Sequence, residues 1–287
     1  MNNTIFPCLW YDQDAVDSAR FYCDVFSGTL TADTPVVLNI ELFGQKLMLL
    51  NAGPQFTKNP SVSFTVFCDS EEEIIRYWER LSENGKVMML LGSYTWSKKF
   101  GWVQDRFGVS WQLVLDGKIS EQKIMPTLMF IHQNTGKAYE AMKLYTHTFP
   151  DSEIKQIQRY SDADEIHDSE PAGNISRGHF TISGYSFLCT ENSYDHQFDF
   201  NEAISVVVMT DNQEQTDRYW YALVADGGRE SMCGWLKDRY GLSWQIVPKK
   251  LIELMNDQDP AKAHNVVQAM FLMQKIIIED LEKAYYL

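Results

Sequence analysis

The sequence predicts an α+β fold built from a duplicated module, and two kinds of internal match carry that prediction. The segment Gly101-Trp102-Val103-Gln104-Asp105-Arg106-Phe107-Gly108-Val109-Ser110-Trp111-Gln112-Leu113-Val114 returns as Gly234-Trp235-Leu236-Lys237-Asp238-Arg239-Tyr240-Gly241-Leu242-Ser243-Trp244-Gln245-Ile246-Val247, with nine of fourteen positions identical. Upstream, Gln55-Phe56, Asn59 and Ser63 match Gln197-Phe198, Asn201 and Ser205, and Arg76-Tyr77-Trp78 matches Arg218-Tyr219-Trp220. Collinear matches of this kind mark a tandem duplication. The expected division is a first module at 1–118, a linker at 119–123 (within Lys118–Lys123), a second module at 124–250 and a helical extension at 251–287.

Each element follows from local pattern. Phe6–Tyr11 reads as a short strand, and a helix follows from about Asp14 with Ala15, Ala19, Tyr22 and Phe26 on one apolar face. A hairpin runs through Val36–Phe43, turns at Gly44-Gln45 and returns over Lys46–Leu50. Val62–Cys68 is the next strand, and Asp69-Ser70-Glu71-Glu72 is a capping start for a helix carrying Ile74, Trp78 and Leu81. Asp105–Gly108 turns a second hairpin into the strand Val109–Leu115. The second copy repeats this order from Ile124, with extra residues around Gln133–Lys137 and a polar insertion near Asp162–Gly173. The acidic run Asp162–Asp168 reads as a solvated loop. Beyond Pro248 come helical segments at Leu251–Met255, from Pro260 to about Gln274, and at Ile278–Tyr286.

Composition narrows the function. The chain has 287 residues, 45% of them hydrophobic and 13% aromatic, enough for real cores. A net charge of −14 and a pI near 4.8 argue against nucleic-acid and membrane-surface partners. No apolar run approaches the roughly 18–20 residues of a membrane helix, and Met1-Asn2-Asn3-Thr4 opens no secretory signal. The five cysteines are scattered without a CxxC, which suits reduced thiols in a cytoplasmic protein.

Several stretches together carry a family resemblance: Pro7-Cys8-Leu9-Trp10-Tyr11, Arg20-Phe21-Tyr22 with Val25-Phe26, His179-Phe180-Thr181-Ile182-Ser183-Gly184, and Cys233-Gly234-Trp235-Leu236-Lys237-Asp238-Arg239. With the turn Asp-Arg-Phe/Tyr-Gly and the closing Ser-Trp-Gln, the chain resembles the vicinal oxygen chelate superfamily of glyoxalase, bleomycin-resistance and extradiol dioxygenase proteins. Within it, the PhnB-like group is most similar, over about residues 4–250. The resemblance implies paired βαβββ units forming cup-shaped mixed or antiparallel sheets with helices outside. One duplicated chain then supplies what single-module relatives obtain by dimerising. Some members of the group carry a 3-demethylubiquinone methyltransferase label. No glycine-rich strand-to-helix loop for adenosylmethionine is visible here, since Gly227-Gly228 follows a helix, so methyltransferase activity is not expected.

In metal-using members the resemblance implies ligands on inward strand positions, with the ion left open for a bidentate substrate. Carried across, those positions hold Pro7 and Pro126 in the opening strands, Asn39 (with Glu41 on the same face) and His179 in the third strands, Ser63 and Ser205 in the later opening strands, and Gln112 and Gln245 in the closing strands. One imidazole and two amides are a poor set for a divalent ion, so no cofactor is expected. Trp10, Trp102, Gln112, His179, Ser205, Cys233 and Gln245 are the expected ligand-binding residues, the tryptophans suiting a flat or apolar ligand. No catalytic residue is assigned. On strand alternation alone, the Ser/Gln face lines a cavity or faces solvent. His179 is a catalyst or a hydrogen-bonded strand residue, and Cys233 a reactive thiol or an inert one.

Three functions stay open at this level. The first is a metal-independent small-molecule binding or sequestering protein, the second a metal-dependent isomerase, lyase or dioxygenase, and the third a duplication in which one half binds and the other supports. The apolar stripe Val266, Met270, Met273 offers either a homodimer contact or packing on its own domain.

Overall fold

The structure, a computed structural model, describes residues 4–115, 121–161 and 170–287. The acidic run 162–168 and the start of the expected linker lie outside the described residues.

Four successive βαβββ quarters make up most of the chain. The first is β1 (Ile5–Tyr11), α1 (Ala15–Phe26), β2 (Thr29–Asp33), β3 (Val37–Leu42) and β4 (Gln45–Asn51). The second is β5 (Val62–Phe67), α2 (Glu71–Ser82), β6 (Lys86–Tyr94), β7 (Ser97–Gln104) and β8 (Ser110–Val114). The third is β9 (Ile124–Phe130), α3 (Ala138–Thr148), β10 (Glu153–Arg159), β11 (Ile175–Ile182) and β12 (Tyr185–Glu191). The fourth is β13 (Ile204–Thr210), α4 (Gln213–Val224), β14 (Arg229–Glu230), β15 (Trp235–Lys237) and β16 (Ser243–Pro248). Helices α5 (Lys249–Met255), α6 (Pro260–Phe271) and α7 (Ile278–Tyr285) follow.

The strands form two eight-stranded mixed sheets. In every quarter the first and last strands are parallel neighbours and the remaining pairs are antiparallel. The helix between first and second strands makes this possible, because parallel neighbours need a crossover long enough to return the chain. Two compact units divide the chain: one holds Pro7–Ile204, the other Thr4–Phe6 and Ser205–Leu287. The first unit contains an entire sheet, in the order β10-β11-β12-β9-β5-β8-β7-β6. Its central pair, β5 with β9, is antiparallel, with Ser63 opposite Thr127 and Thr65 opposite Met125. That sheet therefore joins the second quarter to the third, across the boundary of the sequence repeat.

Helix α1 buries the expected Ala15, Ala19, Tyr22 and Phe26, and Ser18, Phe21 and Val25 beside them. Full burial of rings such as Phe26 contributes about 1.5–3 kcal/mol each. At α2, the Ser70 hydroxyl accepts the Glu73 N–H at 3.1 Å and the Glu73 carboxylate accepts the Asp69 N–H at 2.7 Å, a capping box closed one residue outside the usual position. Tyr77 is the ring buried there, edge-on to Phe26 at 5.0 Å, and Trp78 is half-buried. The β3–β4 turn is Phe43-Gly44, both with positive φ, the geometry that matches hairpin twist. Strand β2 is not predicted by the sequence, since Thr29-Leu30-Thr31-Ala32 is exposed and carries no apolar period.

The repeated motif is first of all a scaffold device. Asp105 is buried, and its Oδ1 accepts the N–H groups of Phe107 (2.8 Å) and Val109 (3.0 Å) while Oδ2 accepts the Trp111 indole N–H and the Tyr22 hydroxyl, both at 2.8 Å. Asp238 repeats this with Tyr240 N–H (2.8 Å), Leu242 N–H (3.2 Å) and Trp244 Nε1 (2.9 Å). The paired asparagines are also structural: Asn59 Nδ2 donates to Asp199 O at 3.0 Å and Asn201 Nδ2 to Thr57 O at 2.9 Å, each loop holding its counterpart. In the extension, Val266 is buried with Leu251, Leu254, Ile276 and Leu281, and Met270 and Met273 pack against that cluster.

Candidate functional site

The face that the resemblance predicts to be concave is read from strand register on the sheet of the first unit. Directly paired residues share a face, and two lines of them cross the sheet. One runs Met89, Trp102, Gln112, Thr65, Met125; the other runs Ser63, Thr127, Leu188, His179, Gln156. The opposite face carries Phe64 and Trp111, 5.3 Å apart, and Trp111 packs against Phe26 and Tyr22 of α1. The expected alternation, tryptophan towards helices and Ser/Gln away from them, holds in β8.

Ser63, Thr65, Thr127, His179 and Ser186 on this face are buried, Gln112 is half-buried, and most of these groups pair with one another. Gln112 Nε2 donates to Ser63 Oγ at 2.9 Å, and the hydroxyls of Thr65 and Thr127 lie 2.7 Å apart. His179 Nε2 and Ser186 Oγ are 3.3 Å apart, and Ser186 is anchored through its backbone by Gln122, whose Oε1 accepts the Ser186 N–H and whose Nε2 donates to Ser186 O, both at 2.8 Å. Burial, then the positive charges of Lys155 and Arg177, pushes the His179 imidazole below its usual pKa, which favours the neutral form. Beside the polar line sits an apolar cluster of Phe67, Phe100, Val114, Met125 and Leu188, with Met89, Tyr94 and Trp102 half-buried against it. The Trp102 indole N–H donates to Ser110 Oγ at 2.7 Å, leaving its ring as part of the rim. Tyr94 stacks on the exposed Trp96 at 4.9 Å.

Of the seven expected ligand residues, Trp102 and Gln112 are register neighbours on this face, and His179 lies on the same face four strands away from Gln112. Trp10 lies on β1 in the other sheet, its indole N–H donating to Gly53 O at 2.7 Å and its ring edge-on to Phe56. Ser205, Cys233 and Gln245 belong to the second unit. There Gln245 Nε2 donates to Ser205 Oγ at 2.9 Å with Trp235 opposite Gln245 in register, the same triplet as Ser63, Gln112 and Trp102. Burial pushes the Cys233 thiol above its usual pKa, which disfavours the thiolate; its backbone N–H donates to Met273 O at 2.7 Å.

The carried-over ligand positions need one correction. Pro126 pairs with Phe64 and so lies on the helix-facing side, and Thr127 takes the concave position. Pro7 likewise alternates with Cys8, which pairs with Met48, itself opposite Asn39. Asn39 Oδ1 is buried without a hydrogen-bond partner. Thr65, Thr127 and Ser186 escape sequence reading, although alternation from Ser63 points to Thr65 directly.

Neither group implied by the fold fits these residues. Serine, threonine and amide oxygens with one distant imidazole are weak donors for a catalytic divalent ion, and no group of three His, Cys, Asp or Glu side chains close enough to hold a metal occurs among the described residues. For adenosylmethionine, the connections from β1 to α1, β5 to α2 and β13 to α4 contain no glycine, and the one at β9 to α3 holds only Gly136. Among the described residues no helix is long and apolar enough to cross a membrane.

Comparison with known proteins agrees with this architecture. Over 90 residues, 30% of the chain, it is 34% identical to Protein YjdN of Escherichia coli, covering 60% of that protein's length, somewhat less than two thirds. The PhnB protein from Bacillus cereus is 32% identical over 39% of this chain and 98% of its own, with a TM-score of 0.37. Glyoxalase I from Zea mays is 12% identical with a TM-score of 0.55, covering 89% of this chain and 98% of its own, a likeness of fold. Residues 3–114 and 122–247 each match the family described as 3-demethylubiquinone-9 3-methyltransferase, so the chain belongs to that family, carries its domain twice, and has the vicinal oxygen chelate fold.

Proposed function

We propose that this protein binds a small, flat or apolar molecule on the concave face of a vicinal oxygen chelate sheet without a metal ion. The observation that carries the reading is the pairing of Gln112 with Ser63, at positions where the resemblance places the ligands of metal-using members, and of Thr65 with Thr127 beside them. These groups already satisfy one another, so the face costs little to desolvate and can exchange a hydrogen bond with a ligand. The apolar cluster with Trp102, Tyr94 and Met89 at its margin supplies the surface for an aromatic or aliphatic body. His179, held neutral, offers one ring nitrogen to a polar substituent rather than a charge.

Methyl transfer is not part of this reading, since none of the four strand-to-helix connections carries a glycine-rich loop of the kind that cradles such a donor. The test is binding of a panel of planar aromatic and aliphatic compounds, followed by tryptophan fluorescence, to the full chain and to Trp102→Ala and Gln112→Leu variants. Binding that weakens about tenfold or more in both variants supports the reading, since tenfold in affinity is about 1.4 kcal/mol, the size of a single favourable hydrogen bond or ring contact. Equal binding in all three proteins overturns it.

A further inference from the structure

A second binding feature lies on the helix-covered side of the first unit, away from the concave face. A groove of about 500 Å³ is lined by Asp17, Arg20, Phe21 and Asp24 of α1, Arg80 of α2, and Arg106 and Phe107 of the turn before β8. Three guanidiniums converge there on a chain whose net charge is −14. Only one is committed: Arg80 is ion-paired to Asp24 at 2.5 Å. Neither Arg20 nor Arg106 has a hydrogen-bond or ion-pair partner among the described residues. Arg106 instead lies over the rings of Phe21 (4.3 Å) and Phe107 (5.1 Å), which stand 5.6 Å apart.

The duplication supplies an internal control. Arg239 occupies the position of Arg106 in the second copy of the Asp-Arg-Phe/Tyr-Gly turn, and there the guanidinium is paired with Asp226 at 2.6 Å. One copy of the turn neutralises its arginine within the fold, and the other leaves it facing two aromatic rings. With Asp24 consumed by Arg80, the groove holds two free positive charges and one free carboxylate, Asp17. That balance matches a single oxyanion rather than a dianion, and the stacked guanidinium and phenyl rings match a flat hydrocarbon body attached to it.

We propose that this groove is a binding site for a small aromatic carboxylate, with Arg20 and Arg106 holding the carboxylate and the half-buried Phe107 the ring, while the buried Phe21 backs the Arg106 guanidinium. Asp17 then disfavours the ligand, so its neutralisation strengthens binding. The test uses benzoate as probe, with benzyl alcohol as its uncharged counterpart, and follows amide and arginine Nε–H resonances of the full chain by NMR. Benzoate is expected to shift resonances of Arg20, Arg106 and Phe107 with a Kd on the order of millimolar, as an open groove of this size allows. Arg20→Gln and Arg106→Gln are each expected to weaken binding about tenfold, and Asp17→Asn to tighten it about twofold to fivefold. Arg20 is exposed, so its replacement leaves packing intact. Benzyl alcohol binding as tightly as benzoate, unchanged affinity in Arg20→Gln, or shifts confined to other residues would each overturn the proposal.

Discussion

Replacing Asp105 with alanine tests whether the repeated turn motif holds the fold. The carboxylate accepts four hydrogen bonds, and three of its donors are buried: the Trp111 indole, the Tyr22 hydroxyl and the Val109 N–H. A buried donor left without a partner costs about 1–3 kcal/mol, so three cost about 6 kcal/mol at the middle of that range. Removing a buried charge returns part of this, because burial itself works against the ionised form and raises the Asp105 pKa against the pull of its hydrogen bonds. The net expectation is a loss of about 4 kcal/mol, which for a domain of this size lowers the unfolding temperature by about 8–16 °C. Asp105→Asn keeps one carbonyl oxygen and is expected to lose about half as much. Thermal unfolding followed by tryptophan fluorescence and near-ultraviolet circular dichroism reads the effect. A loss under about 1 kcal/mol in the alanine variant would refute the reasoning, since it would mean water reaches all three donors.

Two further outcomes follow from individual residues. Lys58 is buried with its ammonium 3.7 Å from the Tyr11 ring centroid and donating to Trp10 O at 2.6 Å; burial pushes its pKa down to about 8. A base whose folded pKa is depressed binds protons more weakly in the native state, so Lys58 should contribute a rise in stability of about 2 kcal/mol between pH 7.5 and 9.5, while the buried Cys68 and Cys189 thiols, raised in the folded state, pull the other way over the same range. Urea unfolding of the protein and of Lys58→Met at the two pH values checks this: their stability difference should change by about 2 kcal/mol, and an identical pH dependence in both would contradict it. Gly234 sits at φ +81° with a Cβ position only 2.7 Å from Ile246 O, whereas Gly44 at φ +74° has open space around it. Gly234→Ala should therefore cost about 3 kcal/mol and Gly44→Ala about 1 kcal/mol, and equal drops in unfolding temperature would contradict the close approach as the cause.

What was legible in the sequence is the part written in local pattern. The repeat, the alternation of strands with helices and the helix faces are set by spacing along the chain, and Trp111 turns towards α1 as alternation requires. The partner of each quarter was not legible, because β5 meets β9 through pairings about 60 residues apart that no short-range period encodes. The identity of the repeated Asp105 and Asp238 as turn anchors was hidden for a related reason: their four and three partners become neighbours only once the hairpin closes. Among site residues, the Ser/Gln pairs stand out as a repeated constellation, but Thr65, Thr127 and Ser186 join it through register rather than through motif. Pro126 misleads because a proline is conspicuous in sequence, while the residue beside it faces the hollow.

Whether the hollow works without a metal is tested most directly by measuring metal content and ligand binding together. The purified full chain, dialysed against an equimolar mixture of zinc, nickel, manganese and ferrous ions and then against buffer, is analysed by mass spectrometry for each element. Ligand affinity is measured before and after chelation. A hollow lined by paired hydroxyls and amides predicts less than about a tenth of an equivalent of any transition metal per chain and an affinity unchanged by chelator. One retained equivalent of a single metal, displaced by Gln112→Leu and needed for ligand binding, would contradict it.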